Sequence, residues 1–437
     1  MSRLEKYPKY KDSGVEWLGE IPEEWEALSN KYIFRLKKNL VGKRSSEYEL
    51  LSLTLGGIIK RDMENPEGKF PAEFDTYQEV KKDDFVFCMF DVEETPRTVG
   101  LSKYDGMITG AYTVMTNTLM NNNFLYYFYL NLDTKKRMKF LYKGLRNTIP
   151  KDSFFAFKTL VPPKDEQTKI ANYLDQKTAQ IDKAITLKEQ LIEKLKERRQ
   201  VLINDAVTKG LDSNVKMKES GVEWIGEIPE EWEVKKFRFL FNFSKGLNIT
   251  KENLQEEGIP CVNYGEIHSK YGFELDPEKH PLKCVSEEYL ETSEKSFLKK
   301  GDFIFADTSE DIEASGSFTY LNSAVPTFAG YHTIITRLMK PMVNRFIAYF
   351  LNSDAFRNQV RQKVKGVKVY SITNAILKDT LICLPQFEEQ QGIVKYLDIE
   401  TKKIDQVISF QEKQIEKLKE YNATVIDSVV TGKVKII

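Results

Sequence analysis

Apolar positions change period several times along the chain. Two segments, 166–208 and 389–431, place Leu and Ile three and four residues apart, hold no proline, and are rich in Lys, Glu and Gln. That spacing and composition predict two long helices. Pro162-Pro163 and Pro385 stand just ahead of them, where proline suits a helix entry. A heptad fits both segments. In the first, a is Leu174, Ile181, Lys188, Leu195 and Leu202, and d is Thr178, Ile185, Ile192, Arg199 and Ala206. In the second, a is Leu397, Ile404, Gln411, Leu418 and Val425, and d is Thr401, Ile408, Ile415, Asn422 and Val429. The polar interruptions fall at equivalent places, and polar core residues set register. The expectation is an intramolecular coiled coil whose core holds the Leu, Ile and Val residues of these sets. The alternative is two amphipathic helices, each packed on its own globular unit.

Elsewhere the apolar residues gather in short runs. The runs Asp84–Asp91, Ala111–Asn117, Phe303–Asp307 and Thr333–Leu338 are β-branched and aromatic and predict strands. Asn123–Lys143 and Asn344–Lys365 predict helices on which aromatics recur. The expected fold class is α+β: two mixed globular units separated by the two long helices.

The pattern is written twice. Residues 11–26 and 218–233 agree at 14 of 16 positions, at an offset of 207. Residues 166–175 (EQTKIANYLD) face 389–398 (EQQGIVKYLD) at an offset of 223. Near-constant ends thus enclose diverged middles, the pattern expected if the ends dock shared partners and the middles read different targets. Because the second unit begins where the first helix stops, an antiparallel helix pair and a pseudo-twofold duplication are expected. At about 1.5 Å per residue, each helix would span ~65 Å.

Composition narrows the function. The 437 residues carry 65 Lys+Arg and 65 Asp+Glu, a formal net charge of zero, and the length suits two to four domains. No run is long and apolar enough to span a membrane, and no secretory signal follows Met1, so a cytoplasmic protein is expected. Cys88, Cys261, Cys284 and Cys383 lack metal-ligand spacing and are read as reduced, buried thiols. His268, His280 and His332 fit no catalytic motif and are read as structural or solvent-facing. P-loop and dinucleotide fingerprints are missing, and no paired carboxylates stand out.

Within the balanced charge, two equivalent stretches lack acids. Residues 135–151 hold Lys135, Lys136, Arg137, Lys139, Lys143, Arg146 and Lys151; residues 357–373 hold Arg357, Arg361, Lys363, Lys365 and Lys368. Segregated positive charge is the footprint of a phosphate backbone. Asn147 and Thr148 in one stretch, and Tyr370, Ser371 and Asn374 in the loop into which the other runs, suit base edges. The competing reading is a solvated helix face. Trp17, Trp25, Trp224 and Trp232 all lie in the repeated ends and are read as packing staples; Glu23-Glu24 and Glu230-Glu231 are read as solvated.

The motif W-x-G-x-I-P-x-x-W at Trp17–Trp25 and Trp224–Trp232, the E-Q…Y-L-D junctions, and the helices ending in Ala206-Val207-Thr208 and Val429-Val430-Thr431-Gly432-Lys433 resemble the specificity subunits of type I restriction-modification systems. The resemblance covers essentially the whole chain. It implies a first target-recognition domain at 1–162, a spacer helix at 163–210, a second target-recognition domain at 211–385, and a second spacer helix with the C-terminus at 386–437. It also implies that each domain reads one half of a bipartite site in double-stranded DNA. The helices would set the spacing and dock two methyltransferase subunits, to which restriction subunits can add. The chain itself would be non-catalytic, with S-adenosylmethionine, ATP and Mg²⁺ on the partners. A nuclease or DNA-modifying enzyme with an unrecognised site, and a coiled-coil protein-binding adaptor, are the alternatives. Thr208-Lys209-Gly210 reverses the Thr-Gly-Lys order of 431–433, so the two helix ends are expected to differ.

Overall fold

The computed structural model describes residues 4–15, 18–62, 73–366 and 368–437. The chain divides into two compact units, Met1–Glu189 with Glu412–Ile437, and Gln190–Gln411.

The first unit is built on a four-stranded antiparallel sheet, in the order Val99–Leu101, Phe85–Phe87, Thr113–Asn117, Phe34–Lys37. Alternate residues of a strand face opposite sides, and the central strand uses both. Phe85 and Phe87 join the main core with the helix Asn122–Thr134, whereas Val86 joins a smaller core with Leu51, Ile58 and Ile108. Phe34 meets Phe85, Phe87 and Tyr129 edge to face at 5.4–5.6 Å, a favourable ring geometry. The Asn121 side chain caps the helix by accepting from the amides of Asn123 and Phe124.

The second unit repeats this plan. Its sheet runs Phe241–Lys245, Thr333–Leu338, Phe303–Ala306, Phe318–Leu321, with Phe273–Leu275 added in parallel at the edge. Phe303 and Phe305 again face the main core and Ile304 the smaller one. The turn before each central strand is also shared. Asp84 Oδ2 accepts from the amide of Lys81 at 2.7 Å, and Asp302 Oδ2 from that of Lys299 at 2.8 Å. Both carboxylates are buried and neutralised, but from different strands: by Lys37 in the first unit and Arg337 in the second.

In each unit the strand after the repeated tryptophan motif pairs with the strand before the long helix: Glu26–Ser29 with Lys158–Val161, and Glu233–Lys236 with Leu381–Leu384. The ends of each globular middle therefore meet where the helix starts. The helices span Lys164–Lys209 and Phe387–Val430. In the first unit, Ile170, Ala171 and Leu174 from the start of one helix share a core with Val425, Ile426, Val429 and Val430 from the end of the other. In the second unit, Ile393 and Leu397 share a core with Ile203, Ala206 and Val207. Lys177 lies over the Tyr421 ring in the first unit, and Arg199 pairs with Asp405 at 3.1 Å in the second. The helix segments of each unit thus run antiparallel. Of the predicted seam, Leu174, Ile181, Ile192, Leu397, Ile404, Ile415 and Val425 are buried; Ile185, Leu195, Leu202, Ile408 and Leu418 are half-buried.

Three expectations need correction. Thr178 and Thr401, read as register-setting polar positions of the coil, serve the globular domains instead. Each hydroxyl donates to the carbonyl four residues back and meets a domain tyrosine, Tyr127 at 3.1 Å or Tyr349 at 3.4 Å. The predicted helix Asn123–Lys143 stops at Thr134, where Lys136 takes a left-handed φ of 45°. The predicted helix Asn344–Lys365 breaks at Ser353 into Asn344–Asn352 and Asp354–Arg361. Neither basic stretch is a continuous helix face.

Candidate nucleic-acid interface

The constant residues build the frame that carries the variable loops. At each junction a Glu-Gln pair opens the long helix. Gln167 Oε1 accepts from the amide of Asn121 at 2.8 Å, and its Nε2 donates to the carbonyl of Pro162. Gln390 does the same with Val343 and Pro385. One glutamine side chain thus fastens the start of the domain helix to the start of the long helix. Farther along, Tyr127 donates to Asp175 and Tyr349 to Asp398, at 2.8 and 2.6 Å. The E-Q…Y-L-D junction is therefore a clamp between domain and helix. Trp25 and Trp232 are buried beside it, but Trp224 is 39% exposed and so is not a core staple. Trp17 lies outside the described residues.

The basic stretches are acid-free in sequence but not in space. Lys135 and Arg137 converge on the largely buried carboxylate of Asp427, at 2.9 and 2.8 Å, with Lys433 at 2.9 Å. Lys136 pairs with the buried Asp133 at 2.9 Å, Lys139 with Glu93, and Arg146 with Asp91. In the second stretch, Arg361 pairs with Glu313 at 3.1 Å and Lys363 with Asp379 at 2.7 Å. Arg357 is half-buried against Asn352, and burial pushes its guanidinium down to about 10. Most of these cations are paired with carboxylates, several from distant segments, although Lys135, Lys139, Arg146 and Lys363 stay exposed. Lys143, Lys365 and Lys368 are exposed and have no carboxylate partner among the described residues.

Beyond the paired cations, each stretch ends in a hairpin. Lys143 bridges to Thr148 in the first unit, and Lys365 to Ser371 in the second. Each hairpin hydrogen-bonds to the chain leaving the central strand. The Ile149 amide donates to Met89 O and the Asp91 amide to Arg146 O, both at 2.8 Å. In the second unit, Ile372 donates to Asp307 O, and Thr308-Ser309 pairs with Tyr370-Ser371. Asn147, with φ 42°, sits in the turn, 3.5 Å from Glu94. Tyr370 occupies the matching place and is half-buried. The apolar residues Leu145 and Val369 are exposed at the two tips.

Pattern reading did not single out what surrounds these hairpins. Phe90 stacks on Tyr112 at 6.1 Å and carries the Arg146 guanidinium over its face at 5.3 Å. In the second unit, Tyr264, His268, Ser309, His332 and Val369 line a cleft of about 480 Å³. Of the histidines read as structural or solvent-facing, His268 donates its Nε2–H to Thr308 O at 2.8 Å, and His332 lies 3.1 Å from Asp307. The four cysteines are free and buried, and burial raises Cys261 and Cys383 to about 12. Among the described residues, no group of His, Cys, Asp and Glu is placed to hold a metal, and no helix is long and apolar enough to cross a membrane.

Two mixed domains of one plan, each with its own loop chemistry on a shared frame, match the type I restriction modification DNA specificity domain over residues 82–197 and 229–420. The chain belongs to this family. Among its relatives, the type I restriction enzyme MjaVIII specificity subunit of Methanocaldococcus jannaschii is 24% identical, over 73% of this chain and 72% of the relative. The putative MjaX specificity subunit of the same organism is 24% identical over 96% of both chains. The EcoKI specificity subunit of Escherichia coli K12 is 27% identical over 58% of this chain. Solved structures agree on the fold. A chain from work on complex assembly and conformational transition of the type I R-M system has a TM-score of 0.68 at 13% identity, covering 94% of this chain and 98% of its own. The HsdS subunit from Thermoanaerobacter tengcongensis has a TM-score of 0.50 at 12% identity, with the same coverage. The two specificity-domain matches begin at the turn before the central strand and at the repeated motif, and both run into a long helix. Frame and loops thus fall within one family pattern.

Proposed function

We propose that this chain is the DNA-specificity subunit of a type I restriction-modification complex, with each globular domain reading one half of a bipartite double-stranded site. The observation that carries this reading is the pair of hairpins. They have the same attachment to the central-strand extension in both units, and different residues at the contact: Asp91 opposite Arg146, Ser309 opposite Tyr370. A constant frame that presents different side chains is what two readers of different sequences need, because base identity is read by donors, acceptors and methyl groups at base edges. Lys143, Lys365 and Lys368 supply phosphate contacts. The clamps that join domain to helix are the same in both units, so the paired helix segments suit docking of two like subunits, the methyltransferases, with restriction subunits added to them. In this reading the chain is non-catalytic and cytoplasmic, and S-adenosylmethionine, ATP and Mg²⁺ act on its partners.

The test is domain exchange. Replacing 27–160 with the corresponding segment of another family member, in cells that also express the methyltransferase subunit, should change one half of the methylated site. Methylome sequencing that found both halves altered, or neither, would reject two independent readers.

A further inference from the structure

Arg146 is the one cation of the first hairpin that is both held rigidly and offered to solvent. Its side chain is 68% exposed, yet its Nε donates to Asp91 Oδ1 at 3.1 Å and its Nη2 to Asp91 Oδ2. This two-point contact fixes the guanidinium plane, and the face of Phe90 supports it from one side. The preceding residue, Leu145, is wholly exposed, so the tip projects from the domain with nothing of its own unit over it. With Nε and one proton of Nη2 used by Asp91, the remaining Nη1 and Nη2 protons at the end of the guanidinium form a parallel pair of donors with no partner among the described residues, on a side chain open to solvent. That pair matches two adjacent acceptors in one plane. Guanine presents such a pair, N7 and O6, in the major groove. A phosphate would need no such orientation, and a flexible Lys would serve it as well.

We propose that Arg146 is a specificity-determining residue of the first domain. It would bind guanine N7 and O6 bidentately, with Asp91 as its positioning residue. The proposal rests on the reading of this chain as a DNA-specificity subunit. The second unit supports it by contrast. There, by the shared Ile149–Met89 and Ile372–Asp307 hydrogen bonds, Ser309 and Val369 occupy the places of Asp91 and Arg146. No guanidinium is presented, so the two domains would differ in target at this contact.

The experiment uses the assembled complex with its methyltransferase subunits. The half-site of the first domain is assigned by the exchange of 27–160. Each guanine in that half is replaced in turn by 7-deazaguanine, which lacks the N7 acceptor, and binding is measured with the wild type, Arg146→Ala and Asp91→Asn. The expected result is that one replacement weakens wild-type binding about tenfold. Arg146→Ala should lose a similar factor on unmodified DNA and nothing more on the modified site, whereas Asp91→Asn should fall between. Arg146→Lys, which keeps the charge without the fork, should not restore discrimination. An unchanged melting temperature would separate these effects from misfolding. Arg146→Ala that kept wild-type affinity and wild-type sensitivity to every replacement would overturn the proposal, as would a half-site without guanine. A wild-type complex with no sequence-specific binding would overturn the specificity reading itself, and the Arg146 proposal with it.

Discussion

Trp232 donates its indole Nε1–H to Oε2 of Glu389 at 3.0 Å, and Trp25 makes the same bond to Glu166 at the same distance in the other unit. The last tryptophan of each repeated motif is thereby tied to the first turn of a long helix, within the same unit. Burial raises the Glu389 carboxyl above its usual range, so the indole donor offsets part of the cost of placing a charge there. Trp232→Phe should destabilise the second unit by about 0.5–1.5 kcal/mol, since one hydrogen bond between the buried indole and the Glu389 carboxylate is lost. Trp232→Ala should cost about 3–5 kcal/mol through the added cavity. Urea midpoints for the two variants check this, and a Trp232→Phe midpoint equal to wild type would leave the bond without a stabilising role.

Asp427 gathers Lys135, Arg137 and Lys433, and also accepts from Asn131 Nδ2 at 3.1 Å. Burial alone would raise its carboxyl, but these cations hold it well below the ordinary range. A depressed folded-state value adds stability that is present above the unfolded value, near 4, and is lost as pH falls through the folded one. Melting of the wild type should therefore fall as pH drops below about 4. Asp427→Asn should be less stable at pH 7, by about 1–3 kcal/mol, and should show a shallower acid dependence. The corresponding residue of the second unit is already neutral: Asn204 accepts from the Ala355 amide at 3.0 Å. Parallel acid limbs for wild type and Asp427→Asn would refute the role of this carboxylate.

Asp83 adopts a φ of 71° in the turn where the second unit has Gly301, at 94°. A side chain in this region is strained. Asp83→Gly should stabilise the first unit by about 0.5–1 kcal/mol. Gly301→Ala should do the reverse, because its Cβ would lie 1.9 Å from Nδ2 of Asn344 as well as in a disfavoured backbone region. Thermal melts of the two single variants should move in opposite directions; movement in the same direction would contradict this account.

The paired and unpaired lysines should separate stability from DNA binding. Asp133 is buried, accepts from the Thr98 amide at 2.9 Å, and takes Lys136 on its other oxygen. Lys136→Ala with Arg137→Ala should destabilise the first unit by about 2–4 kcal/mol, since two buried carboxylates each lose a cation. Lys143→Ala should leave the melt unchanged and lower the slope of log affinity against log salt by about 1. A Lys143→Ala complex with an unchanged salt slope would place this hairpin away from the phosphates.

The amino-acid sequence alone determined the features that depend on neighbours along the chain or on the repeat. Period three-to-four with Lys, Glu and Leu made the two helices legible, and they extend only two residues beyond the expected starts, to Lys164 and Phe387. Phe85–Phe87 and Phe303–Ala306 were legible as strands because both faces are apolar. The duplication, and with it the family, was legible because matching residues recur at fixed offsets. Tertiary structure decided which charges meet. No local pattern brings Asp427 to Lys135 and Arg137, some 290 residues away, or Asp91 to Arg146. The heptad could not show that Thr178 and Thr401 turn toward Tyr127 and Tyr349, because a helix repeat gives the angle of a side chain but not the neighbour that fills it. Secondary structure follows from short-range backbone geometry and periodicity. Ion pairs, and the loops that read a target, follow from which distant segments the core brings into contact.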